Sequence, residues 1–158
     1  MEKEKLTSLK KNIELNTVQE IVGTVVYGTN KIENILNEII LEKVKPQEVE
    51  VFRKVFLNSS IIGYAAKAKI LINLFESIPK DLYNKLMSLG SIRNGFAHTV
   101  FENKMTITVD KGIVQKPVSS QFISVMNSSG KVIEKDIETY YNEFKKLYLE
   151  VEQDLRKL

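Results

Sequence analysis

Cysteine is absent from this chain, and that gap removes three kinds of chemistry at once: disulfide scaffolds, thiolate zinc sites and cysteine nucleophiles. It also fits a reducing compartment, so the expected location is the cytoplasm. Histidine occurs once, as His98. A transition-metal site would therefore need a cluster of carboxylates, and none with ligand spacing is found; no metal and no cofactor are expected. Long hydrophobic runs are missing as well. None approaches the ~18 residues that a membrane span requires, and the opening MEKEKLTSLKKN is charged and polar, without an apolar signal core. No membrane partner is expected. There is no G-x-x-x-x-G-K-[ST] phosphate loop and no G-x-S-x-G nucleophile elbow.

What remains is the profile of a globular protein. The 158 residues are 43% hydrophobic and 27% charged, enough for a single domain, 1–158, to bury a core without staples. The formal net charge is +3 and the pI about 8.9. That mild basicity is compatible with a nucleic-acid partner and does not by itself argue for one.

Hydrophobic periodicity divides the chain into helices with one β excursion. Residues 17–43 place Val18, Ile21, Val22, Val25, Ile32, Ile35, Leu36, Ile39 and Ile40 at spacings of three and four, which predicts a helix with an interruption near Gly28. A new helix is expected with Pro46 at its first position. The apolar pattern then runs to Phe75, either as one long helix or as two that meet near Asn58, Ser59 and Ser60. SIPKD (77–81) reads as a turn, and another helix starts at about Lys80 to Leu82. Between about 104 and 133 the period changes to two. Met105, Ile107 and Val109 alternate before a turn at Asp110 to Gly112, and Phe122 and Ser124 alternate with Ile123 and Val125 before NSSG, which predicts a small β-hairpin or meander. Ile133, Ile137, Tyr140, Phe144, Leu147, Val151 and Leu155 then mark a long amphipathic helix. The expected fold class is mainly α, a bundle of four or five helices with a β insertion before the last.

One helix carries an unusual substitution in its stripe. Leu82, Leu86, Leu89 and Phe96 are spaced four, three and seven, and the gap of seven calls for an apolar residue at 93, where the chain has arginine. A guanidinium at a core position needs an anion, because its desolvation costs several kcal/mol. Two answers stay open. The structural one is a salt bridge, with Glu33, Glu48, Glu50 or Glu76 as conceivable partners, or a long side chain that snorkels out; the other is a planar fork that waits for an external phosphate. Asn94 and His98 stand one turn apart on the same side of this helix, with His98 about 140° around the axis from Arg93.

The stretch IRNGFAH (92–98) resembles the R-N-x-x-A-H form of the R-x(4–6)-H motif of the HEPN superfamily, the higher eukaryotes and prokaryotes nucleotide-binding domains. The longer segment IIGYAAKAKILINLFESIPKDLYNKLMSLGSIRNGFAH is similar to the mannitol-repressor-like branch, and the resemblance covers residues 47–101 or so. It implies an HEPN-like helical bundle that dimerises, with the motif lining a cleft between two copies. It also implies a metal-independent endoribonuclease of toxin–antitoxin, phage-defence or RNA-processing systems, acting on RNA and leaving 2′,3′-cyclic phosphate ends. Arg93 would then bind the scissile phosphate, His98 would handle the proton of the 2′-OH or of the leaving oxygen, and Asn94 would orient the histidine or a phosphate oxygen. Lys67 and Lys69 would add contacts to the RNA backbone; the alternative for both is a solvated helix face. An imidazole suits acid–base work at neutral pH, and a fixed cation suits the charge that develops on phosphorus. The branch implies a second function as well, a non-catalytic regulator that binds a protein or nucleotide. Two departures stand out. Val100 occupies the position where one toxin branch has a modifiable tyrosine for its antitoxin partner, and the β segment exceeds a minimal bundle.

Overall fold

The computed structural model describes residues 2–98, 101–106, 109–110, 113–114, 118–126 and 129–158. The chain is mainly helical, with five α-helices among the described residues and a small antiparallel sheet before the last of them. Among the described residues no helix is long and apolar enough to cross a membrane.

Helix α1 (Glu2–Val44) is unbroken, whereas the sequence predicts an interruption at Gly28. The buried positions Val18, Val25, Thr29, Ile32, Leu36 and Ile40 keep one face turned inward across the glycine. Gly28 serves close packing instead: a Cβ there would stand 3.0 Å from the Phe144 ring. Thr29 fits the apolar stripe because its hydroxyl donates to the Val25 carbonyl at 2.9 Å, so no polar atom is stranded. Pro46 lies in the loop that follows, not at a first helical position; the next helix, α2 (Val49–Val51), is short and runs into a π-helical turn at Phe52–Phe56.

Of the two arrangements open for the stretch ending at Phe75, the chain adopts the one with a break. Asn58 organises it: its side-chain oxygen accepts from the amide and hydroxyl of Ser60, and its carbonyl accepts from Ile61 and Ile62. Helix α3 (Tyr64–Leu74) starts at Gly63, whose carbonyl accepts from Ala66 and Lys67. The SIPKD turn ends at Asp81, in the left-handed region at φ 63°; α4 (Leu82–His98) follows at once.

The β segment comprises β1 (Phe101–Thr106), β2 (Val109–Asp110), β3 (Ile113–Val114), β4 (Val118–Met126) and β5 (Val132–Asp136). The main sheet runs β1-β4-β5, all antiparallel, with Phe101 opposite Ile123 and Phe122 opposite Asp136; β2 and β3 form a separate two-stranded ribbon. Ile107, Lys111, Gly112, Asn127 and Ser128, parts of the expected alternation and turns, lie outside the described residues. The alternation read along β4 is borne out: Ile123 and Val125 are buried while Phe122 and Ser124 are only partly so. Helix α5 (Ile137–Leu155) begins four residues later than the sequence predicts, because Ile133 belongs to β5. Asp136 caps it, accepting from the Thr139 amide at 2.8 Å.

Helix α4 is the hub. It packs against α1, α3, α5 and β4, and its buried residues are Leu82, Leu86, Leu89, Ile92 and Phe96, each worth about 1.5–3 kcal/mol when fully covered. Lys85 fastens it to α5 through Asp154 at 2.8 Å and Glu150 at 3.3 Å. Ile92 fills the gap in the stripe that the sequence seemed to leave at 93. Arg93 therefore stands beside the core and not within it.

Candidate functional site

One turn of α4 separates core from cleft. Ile92 and Phe96 face inward, Phe96 stacked on Tyr140 with ring centroids 5.3 Å apart. Gly95 lies against β4 and α5 so closely that a Cβ would meet Val125 Cγ1 at 2.9 Å and the Tyr140 ring at 3.2 Å. Burial in this contact, with Glu143 nearby, pushes the Tyr140 phenol up to about 12. These three residues hold the helix in place, and the residues between them are left to do something else.

Arg93, Asn94 and His98 line a single cleft of ≈ 1020 Å³. Its floor is the α4 face carrying Met87, Gly90, Ser91, Asn94 and His98; α1 supplies Thr29, Asn30 and Glu33 on one side, and the start of α3 supplies Tyr64. The strands close the other side with Ser124, Val125, Met126 and Val132. The cleft thus joins the two flanks that seemed too far apart on an ideal helix. On an ideal helix Asn94 and His98 are about 40° apart around the axis, whereas Arg93 is about 100° from Asn94. The arginine reaches back and donates from Nη1 to Asn94 Oδ1 at 3.0 Å.

No carboxylate among the described residues pairs with Arg93. Of the four conceivable partners, Glu33 is bonded to Lys67 and Ser59, Glu50 bridges to Arg53 and Lys54, and Glu48 and Glu76 are exposed. Arg93 is half-buried, while Asn94 and His98 are exposed. An asparagine carbonyl is a neutral acceptor, so the positive charge of Arg93 stays uncompensated at the cleft wall.

The two lysines are placed elsewhere. Lys67 is 0% exposed, with Nζ 2.6 Å from Glu33 Oε1; Lys69 is exposed on the far side of α3, and neither lines the cleft. Lys67 cannot reach an RNA backbone from there. It acts on the cleft only through Glu33, whose carboxylate is 12% exposed and also accepts from Ser59 Oγ at 2.6 Å.

Sequence reasoning missed two cleft residues. Glu33 figures there only as a conceivable partner of Arg93, and Tyr64 is not singled out at all. A signal did exist for the lysine: Tyr64, Lys67, Ala68 and Leu71 follow a helical stripe, so Lys67 occupies a core position of α3 that demands an anion across from it. No group of three or more His, Asp or Glu side chains that could hold a metal ion occurs among the described residues. Compared with protein-family models, curated proteins and solved structures, the chain has no significant match.

Proposed function

We propose that this protein is a metal-independent endoribonuclease of the HEPN type, acting in the cytoplasm, with Arg93, Asn94 and His98 as its catalytic residues. The observation that carries the reading is the uncompensated guanidinium of Arg93 beside Asn94 and His98 in one solvent-open cleft. An arginine locked against a carboxylate would favour the regulatory alternative; no such pair forms among the described residues.

The chemistry follows from what each group is able to do. Arg93 and the Asn94 amide hold the scissile phosphodiester and spread the charge that develops on its oxygens. The 2′-oxygen attacks the adjacent phosphorus, and the bond from phosphorus to the 5′-oxygen breaks. One imidazole takes the 2′-OH proton and a second, protonated imidazole gives a proton to the departing 5′-oxygen. The products are a 2′,3′-cyclic phosphate and a 5′-hydroxyl, with no other reactant consumed. Since the chain has a single histidine, the second imidazole comes from His98 of the partner subunit in a two-fold homodimer that closes over the cleft. Met126 and Val132, at the cleft rim, are 69% and 66% exposed, and apolar side chains so placed gain from being covered by a second copy.

The deciding experiment is cleavage of a mixed RNA pool in the presence of a chelator, wild type against His98→Ala. Chelator-resistant cleavage that ends in cyclic phosphates and vanishes in the variant is expected. Metal-dependent cleavage, or cleavage indifferent to the substitution, would remove the mechanism.

A further inference from the structure

Tyr64 opens α3 with its ring packed against Gly90, where a Cβ would stand 3.0 Å from two ring carbons. Its hydroxyl is buried at the cleft and has no hydrogen-bond partner among the described residues. Buried polar groups are otherwise almost always answered, so an orphaned one that lines a cleft points to a ligand. Burial and the neighbouring Glu33 charge both push the phenol far above its usual ionisation range, which keeps the O–H proton in place as a donor.

The same end of the cleft has the opposite polarity from the Arg93 end. The Glu33 carboxylate faces it, with Oε1 held by Lys67 and Ser59. A phosphate would be repelled there, whereas a neutral group offering an acceptor to Tyr64 and a donor to Glu33 would be held. Along α4 the step from Gly90, beneath Tyr64, to His98 is about 12 Å at about 1.5 Å per residue. Met87, Ala65 and Ala66 supply apolar wall beside the pair, which suits a flat ring better than a sugar. We infer that Tyr64 and Glu33 form a nucleobase subsite, reading a base edge that pairs an acceptor with an adjacent N–H, while the phosphate of the same nucleotide lies on Arg93. This rests on the nucleic-acid reading of the cleft and adds to it the group that contacts the base.

The test is calorimetric titration of the wild-type protein and of Tyr64→Phe with the four nucleoside 3′-monophosphates, ribose 5-phosphate and inorganic phosphate. For the wild type, at least one nucleotide should bind about tenfold or more tightly than ribose 5-phosphate, the equivalent of one good hydrogen bond. Tyr64→Phe should erase that preference, leave inorganic phosphate binding unchanged, and melt at the same temperature or higher, since an unanswered hydroxyl is gone. Gly90→Ala, which drives the ring from its seat while keeping the hydroxyl, should lose the same preference. Ribose 5-phosphate binding as tightly as every nucleotide would overturn the base contact. So would a Tyr64→Phe protein with the wild-type preference, or one that melts lower and loses phosphate binding too. The two readings fail separately. Nucleotide preference that depends on Tyr64 in a protein that cuts no RNA leaves the subsite standing without the nuclease; RNA cleavage with a silent Tyr64→Phe does the reverse.

Discussion

Replacing Glu33 by leucine should destabilise the protein more than any single change at the motif, and the reason lies beneath the cleft. Lys67 is fully buried with Nζ 2.6 Å from Glu33 Oε1. At that separation and an effective dielectric near 20, the attraction is about 6 kcal/mol, against a desolvation cost of several kcal/mol for each ion. The pair is therefore close to neutral as a pair and costly to split. Glu33→Leu strands an ammonium that has no route to water, and about 3–5 kcal/mol should be lost. Lys67→Met should cost less, nearer the lower end of that range, because the carboxylate left behind keeps the Ser59 hydrogen bond and some contact with the cleft. The double variant, with apolar side chains of similar volume facing each other, should recover much of the loss, giving a coupling of about 2 kcal/mol or more. Urea unfolding followed by far-UV circular dichroism measures all four proteins, with unchanged denaturant slopes as the control for two-state behaviour. A chain of this length should melt roughly 2–4 °C lower per kcal/mol lost. Single variants within about 1 kcal/mol of wild type, or a double variant as unstable as Glu33→Leu, would refute the buried-pair reasoning. If Lys67→Met kept full stability while RNA binding fell, the lysine would have to be restored as a direct contact.

Other perturbations separate the motif into its packing and chemical halves. Gly95→Ala should cost about 1–3 kcal/mol by overpacking, since the new methyl meets Val125 at 2.9 Å and Tyr140 at 3.2 Å; calorimetric unfolding checks it. Arg93→Ala should eliminate RNA cleavage while changing stability by less than about 1 kcal/mol, as expected where no buried ion pair is broken, and a severe folding defect would show the arginine to be structural. Sedimentation at micromolar concentration should find a dimer, and His98→Ala chains mixed with wild type should depress its activity; a fully active monomer is the contrary result. Hydrogen bonds from Lys157 and Lys85 hold the Asp154 carboxyl below the usual carboxylate range. A folded-state value below the unfolded one stabilises at pH above the unfolded value and is lost as pH falls through the folded one. Asp154→Asn should therefore lower stability at neutral pH and make the loss below about pH 4 shallower, as read from melting temperature across pH.

The sequence carried the elements whose burial follows one period. The stripe Ile137, Tyr140, Phe144, Val151 and Leu155 is buried as its spacing requires, and the alternation in β4 sends Ile123 and Val125 inward. It failed where a tertiary contact decides. Gly28 reads as a breaker until the Phe144 ring is seen against it, and Ile133 reads as helix until its pairing with Val125 is known. Arg93 looked like a core residue because the stripe was extended by sevens; the true step is Leu89, Ile92, Phe96, a three and a four. For the site, the motif itself was legible and its three polar residues do share a cleft. Glu33 and Tyr64 were not, since nothing local ties residues on α1 and α3 to a face of α4.

Arg93 and Glu33 line the same cleft with opposite charges. A cation and an anion that share a cleft tend to find each other, and an Arg93–Glu33 pair would close this one. Glu33 does not do so: Lys67 and Ser59 hold its Oε1, and Arg93 donates to Asn94 Oδ1 instead. The buried lysine therefore has an effect on the cleft without lining it: by holding Oε1 of the carboxylate, it offsets the charge that would otherwise draw the guanidinium. Lys67→Met should then do more than destabilise. With the Glu33 charge no longer balanced by the lysine, the two charges attract across the cleft, and affinity for inorganic phosphate should fall even at temperatures where the variant is fully folded. Glu33→Gln in the same background removes the competing charge and should restore phosphate binding. If phosphate affinity follows only the folded fraction in both variants, Arg93 is held apart by the backbone alone and the lysine has no part in it.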